Sequence, residues 1–128
     1  MKILSIGCGW WGFRELPIER HLDICEQFGF RTLEFGIGDE LPSTVPLHPT
    51  QQEVQRIKTL ADTAGISMPF VTVENDFTLA DKDHHQQMLE HVLKAIHTAA
   101  KFNVSHIRIF AGFTPAEAIT ERIYQQVI

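Results

Sequence analysis

Four short apolar runs rich in branched and aromatic residues, at 3–6, 32–35, 68–73 and 106–110, alternate with stretches whose apolar residues recur at helical spacing. This alternation constrains the chain more than any single motif. Successive runs start roughly 30 to 40 residues apart, the length of a strand, a helix and the turns that join them. A connection of that length carries the chain back to lay the next strand parallel to the last, with the helix covering the sheet. The expected fold is α/β: one parallel (βα)4 unit over residues 1–128, with strands near 2–7, 32–36, 67–74 and 105–111. The segment 36–49, with prolines at 42, 46 and 49, reads as a long loop after the second strand.

The helical stretches carry their own start and stop signals. Pro17 suits a first turn, Ile18, Leu22 and Cys25 mark one face with Phe28 close to it, and Gly29 ends the helix. Thr50-Gln51-Gln52-Glu53 is a capping box that opens a second helix, with Val54, Ile57, Ala61 and Ala64 on its apolar face and Gly65 as its stop. A third runs from about Asp83 to Phe102, with an expected core stripe of Met88, Leu89, Val92, Leu93, Ile96 and Ala100. Thr114-Pro115-Ala116-Glu117 reads as the box that opens a fourth. That last helix has no stop signal before Ile128, so the chain is expected to continue into further βα units; an in-frame stop codon directly after residue 128 would contradict this.

Residues 2–12, KILSIGCGWWG, contain Gly7, Gly9 and Gly12 in the G-x-G-x-x-G spacing of dinucleotide-binding folds. That motif works only if a helix begins at the second glycine and aims its free N–H groups at a pyrophosphate. Pro17 would fall inside such a helix, at a cost of about 3 kcal/mol, and Trp10 and Trp11 would crowd the phosphate. Glu34, near the end of the second strand, is the one residue placed to bind a ribose. A doubly wound nucleotide-binding module using Gly7–Gly12 therefore stays as the alternative, and it requires a helix beginning at Gly9. A strand followed by a glycine-rich loop of about ten residues explains the stretch better.

Composition narrows the functional classes. The net charge of −5 and the lack of any Lys/Arg cluster argue against a nucleic-acid partner. Cys8 and Cys25 form no disulfide framework, no signal-like segment opens the chain, and no window has the apolar length of a membrane span. A cytoplasmic protein with reduced thiols and no membrane partner is expected.

Several segments resemble one family. Residues 29–35 (GFRTLEF) are similar to the second strand of xylose-isomerase-like TIM barrels, the sugar phosphate isomerase/epimerase group. Residues 60–66 (LADTAGI) resemble that family's passage from second helix to third strand. Residues 95–102 (AIHTAAKF) with 104–112 resemble its third helix and glycine-closed fourth strand. The resemblance implies a (βα)8 barrel of which this chain is the N-terminal half. It implies metal-dependent aldose–ketose isomerisation or epimerisation of a sugar or sugar phosphate. A divalent metal would be bound, and protons moved, by carboxylates and histidines of later strands. Catalytic residues are thus expected beyond Ile128, with no metal ligand or cofactor in this chain, which alone would be inactive. The family shades into apurinic endonucleases, which use histidines near the ends of strands three and four. Val73, Glu74, Phe110 and Ala111 stand there instead, so DNA repair is not expected.

Barrel active sites lie at the C-terminal strand ends. The substrate-binding candidates there are Trp10 and Trp11 as an apolar wall, Glu34 and Glu74 as hydroxyl acceptors, and Arg108 as a partner for phosphate or for Glu34. Glu74 and Asn75 open a polar loop that reads as solvated. His84, His85, His91 and His97 read as a solvated helix surface, His106 lies at the wrong end of its strand, and Cys8 reads as a buried structural thiol. A half-barrel leaves strand edges open, so self-association is expected, and light scattering tests it. A noncatalytic interaction subunit that co-purifies with a partner is the third reading.

Overall fold

The computed structural model describes residues 6–79 and 81–127. The elements are α1 (Ile18–Phe28), β1 (Thr32–Ile37), β2 (Thr44–Val45), α2 (Gln51–Ala64), β3 (Ser67–Val73), α3 (Lys82–Lys101), β4 (His106–Arg108) and α4 (Glu121–Val127), with 3₁₀ turns at Trp11–Phe13 and Ala116–Ala118. The strands form one parallel sheet in the order β2-β1-β3-β4, covered by helices. Four parallel strands and four helices make half of a TIM barrel.

The expected strands at 32–36, 67–74 and 105–111 are present, the last shortened to His106–Arg108. Most of the strand expected near 2–7 lies outside the described residues. Its end is visible as Cys8, whose N–H donates to the Thr32 carbonyl (2.8 Å) and whose carbonyl accepts from Glu34 N–H (2.9 Å), a parallel bridge to Leu33. Further along the same edge of β1 runs β2, inside the segment expected to be plain loop. Its apolar residues explain the difference: Val45 and Leu47 are buried in the core. Thr44 Oγ1 also ties the turn together, through the carbonyls of Gly38 (2.8 Å) and Leu41 (2.7 Å).

Leu33, Phe35 and Ile37 of β1 and Val71 and Val73 of β3 are buried, and with the inner faces of the helices they form the core. Each such side chain stabilises the fold by about 1.5–3 kcal/mol. On α1 and α2 the buried residues include those the spacing indicates, save that Phe28 is exposed and Ala64 half-buried; His21, which the spacing did not indicate, is buried as well. On α3 they are not. Val92, Ala95, Thr98 and Ala99 are buried, while Leu89, Leu93, Ile96 and Ala100 are exposed. Small residues at 95 and 99 let the helix lie close to the sheet, and Thr98 offsets its buried hydroxyl by donating to the Leu47 carbonyl (2.6 Å). The capping box expected at 114–117 is not formed: the 3₁₀ turn there starts from Pro115 without a side-chain cap, and Thr114 Oγ1 turns instead to the Thr78 carbonyl (3.5 Å); α4 starts later, where Thr120 Oγ1 accepts from Ile123 N–H.

The capping box of α2 is formed, and an Arg56–Glu19 ion pair ties α2 to α1. Burial raises the Glu19 carboxyl, but the hydrogen bond and charge of Arg56 outweigh it and hold the group below the ordinary range. The Thr50 backbone N–H, then its hydroxyl, lower Glu53 likewise. A carboxyl depressed by folding contributes stability that is present above its unfolded pKa and is lost as pH falls through the folded value. The urea midpoint is therefore expected to drop as pH falls below the ordinary glutamate pKa of about 4.3. Glu19→Gln with Glu53→Gln should flatten that acid limb. An unchanged pH profile in the double variant would show that these contacts carry none of it.

Candidate functional site

Along β1 and β3 alternate residues face away from the helices. Their alignment depends on a bulge: Thr32 pairs with Ser67, yet Glu34 pairs with Phe70, so β3 carries one extra residue there. This turns Phe70 and Thr72 onto the same face as Glu34 and Gly36. Without it, Thr72 would point into the helix layer. On β4, His106 and Arg108 share this face: the His106 ring stacks on Phe70 at 5.1 Å between centroids, and Arg108 reaches Thr72.

Three adjacent strands thus bring Glu34, Thr72 and Arg108 together. Thr72 Oγ1 donates to Glu34 Oε1 (2.6 Å) and accepts from Arg108 Nε (3.0 Å), while Arg108 Nε lies 3.2 Å from the same carboxylate oxygen. The single hydroxyl proton and two lone pairs of Thr72 let it serve both neighbours. Glu34 Oε2 points the other way, towards Gly9, 3.6 Å from where a Cβ on that residue would stand. Gly7, Cys8, Gly9, Thr32 and Phe70 surround this carboxylate in an open hollow on the inner face. The glycines leave backbone and space there, with no helix over them: the chain makes only the 3₁₀ turn at Trp11–Phe13 and α1 begins at Ile18. The helix that a nucleotide cradle requires at Gly9 is absent.

Beyond the strand ends lies a cleft of about 280 Å³. Trp10, Met88 and Phe113 form its apolar walls, and Asp39, Glu40, Glu74, Asp76 and His91 supply its polar lining. Trp10 lies across Gly36, whose missing Cβ makes room for the ring; an added Cβ would stand 3.0 Å from Trp10 Cε3 and Cζ3. The tryptophan is 1% exposed, and among the described residues its Nε1–H has no partner, nor does His91 Nε2. Trp11 stands outside at 48% exposure with the Arg14 guanidinium over its ring, 4.6 Å from the centroid.

The candidates therefore divide. Glu34 and Arg108 meet on the inner face, Trp10 and Glu74 line the cleft, and Trp11 joins neither. Asn75 is not solvated: its side chain donates to the Phe110 carbonyl (2.6 Å) and accepts from Phe110 N–H (3.0 Å), clamping the chain beyond β4. Nor is the α3 histidine row uniformly solvated, since His91 lines the cleft and His85 contacts Gln126 and the Phe77 ring. Cys8 and Cys25 are both buried. Burial, with Cys8 beside it, pushes the Cys25 thiol up to about 12, so it is no nucleophile. Thr72, Asp39 and Asp76 were not singled out in the sequence, and His91 was read only as helix surface. The β3 bulge turns Thr72 to the inner face and the folded 36–49 segment carries Asp39 to the cleft, and no local pattern signals either.

Among the described residues, no group of three or more His, Cys, Asp or Glu side chains is arranged to hold a metal ion. Among the same residues, no helix is long and apolar enough to cross a membrane. A family model described as xylose isomerase-like TIM barrel matches residues 22–128. The chain belongs to that family. Comparison with curated proteins gave no match. The family accounts for the parallel half-barrel and for a sugar isomerase/epimerase-like fold, with polar side chains gathered at the C-terminal strand ends.

Proposed function

We propose that this chain forms one side of the substrate site of a sugar isomerase or epimerase that interconverts aldose and ketose, or two epimers, and works in the cytoplasm. The observation that carries the reading is the Glu34–Thr72–Arg108 network on the inner face of a barrel of this family. Its chemistry suits a polyhydroxylated ligand. Arg108 and Thr72 engage Glu34 Oε1 and fix the carboxylate plane, while Oε2 faces the hollow and accepts a hydroxyl proton. The network positions substrate; proton transfer to and from carbon, and the divalent metal of such a reaction, belong to groups outside this set.

Thr72→Val tests the assignment, because it keeps the shape of a side chain that is 1% exposed and removes both hydrogen bonds. The loss in stability is expected to be about 1–3 kcal/mol. In the complete barrel, kcat/KM for ketose–aldose exchange, followed by NMR in deuterated water, is expected to fall by about tenfold or more as Glu34 loses its orientation. Full activity in a folded Thr72→Val protein would remove this network from the substrate site.

A further inference from the structure

We propose that Asn75 is a positioning residue: through the backbone and ring of Phe110 it fixes Arg108 in the network with Glu34 and Thr72. The inference deepens the isomerase reading and rests on it for the reaction, while the positioning itself is read from the half-barrel alone. The ladder between β3 and β4 runs only as far as the pair of Thr72 and Arg108. Beyond it one side chain takes over. The Asn75 amide donates to the Phe110 carbonyl (2.6 Å) and accepts from the Phe110 N–H (3.0 Å), as peptide groups of a continuing β3 would.

The chemistry of position 75 is narrow. A carbonyl can only accept and an N–H can only donate, so the two bonds need a donor and an acceptor on one short planar group. Asparagine supplies both. An aspartate of the same shape has no donor at neutral pH and sets a carboxylate oxygen against the Phe110 carbonyl. Asn75 is 2% exposed, so bulk water does not stand in for either partner. The neighbouring tie, from Phe77 N–H to the Ala111 carbonyl (3.1 Å), acts one residue further on and does not hold Phe110 itself.

Phe110 carries the constraint to the site. The Arg108 guanidinium lies over its ring, 5.4 Å from the centroid, while Arg108 Nε reaches Thr72 Oγ1 (3.0 Å) and stands 3.2 Å from Glu34 Oε1. The Arg108 side chain is 51% exposed, and a long side chain that open has many rotamers to choose among. Three contacts select one of them: a carboxylate, a hydroxyl and the face of a ring. Glu34 and Thr72 stand on paired strands inside the sheet. Phe110 lies past the end of β4 and takes its place from Asn75.

The test follows the Nε–H signal of Arg108 in the ¹⁵N-labelled chain, assigned with the Arg108→Lys variant. Asn75→Asp is expected to shift and broaden that signal. Phe110→Leu, which keeps both backbone bonds and removes only the ring, is expected to do the same. An Arg108 signal unmoved in folded Asn75→Asp overturns the proposal; should that variant fail to fold, an unmoved signal in Phe110→Leu overturns it as well. In the complete barrel, Asn75→Asp is expected to lower kcat/KM for ketose–aldose exchange by about tenfold. On an Arg108→Met background it is expected to lower it no further, because both changes remove one contact. Equal losses on the two backgrounds mean that Asn75 acts independently of Arg108 and overturn the positioning role. A shifted Arg108 signal in the chain, with no ketose–aldose exchange in the unaltered complete barrel, upholds the positioning and overturns the isomerase reading instead.

Discussion

Trp10→Ala is expected to lower the unfolding free energy by about 3–5 kcal/mol, as truncation of a buried aromatic does. The side chain is 1% exposed, packs on Gly36 and walls the cleft, so its loss leaves a cavity between the glycine loop and the end of β1. Trp10→Phe separates packing from hydrogen bonding. It keeps most of the ring and removes a donor that has no partner among the described residues, so its effect on stability is expected to be small, with either sign. Urea unfolding of both variants measures these expectations. If Trp10→Ala were no less stable than Trp10→Phe, the indole would not be the anchor that its burial indicates.

Gly112→Ala is expected to cost about 2–5 kcal/mol, from strained backbone and overpacking together. Gly112 has φ +155°, and a Cβ there would stand 2.3 Å from both Asp76 Oδ1 and Thr78 Oγ1. Those atoms cannot yield cheaply. Asp76 Oδ1 accepts from Thr78 N–H (2.8 Å) and from its hydroxyl, and Thr78 Oγ1 in turn accepts from Thr114 N–H (3.2 Å). The missing Cβ lets the turn after β3 dock on the segment after β4, which sets Asp76 and Phe113 into the cleft lining. A fall in Tm of roughly 8–20 °C follows at about 4 °C per kcal/mol. Gly29→Ala is the control: its φ is also positive, at +74°, but nothing lies within 4 Å of the added carbon. A loss at Gly112 no greater than at Gly29 would mean that the Asp76–Thr78 turn moves aside freely.

Much of the scaffold was legible because it is written in local physics. Thr50 and Glu53 announce α2 through a reciprocal pair of hydrogen bonds that needs only four residues. Gly29 and Gly65 announce helix ends because left-handed backbone is cheap only for glycine. Short apolar runs rich in branched and aromatic residues predict strands, and Leu33, Phe35 and Ile37 bury one face of theirs against helices. The G-x-G-x-x-G match was resolved correctly by Pro17, a local veto on the helix that a cradle needs. The fourth helix shows the limit of the same logic: its expected box is not formed, a 3₁₀ turn stands there, and the α-helix begins at Glu121.

The site was legible only in part. Glu34 and Arg108 could be placed at the C-terminal strand ends, and their pairing was among the expected outcomes. Thr72, which joins them, could not, since one bulge residue in β3 decides whether position 72 faces the barrel interior or the helices. The cleft draws Trp10, Asp39, Glu74 and His91 from four separate parts of the chain, including a segment that reads as loop.

By itself the sequence determined the α/β alternation, most helix limits and the family, because each rests on contacts within a few residues or on motif order. Only the tertiary structure decided which face of α3 is buried, that β2 exists, and that a tryptophan donor and four acidic side chains converge on one cleft. These depend on register and on the closeness of packing between distant segments, which no local pattern encodes.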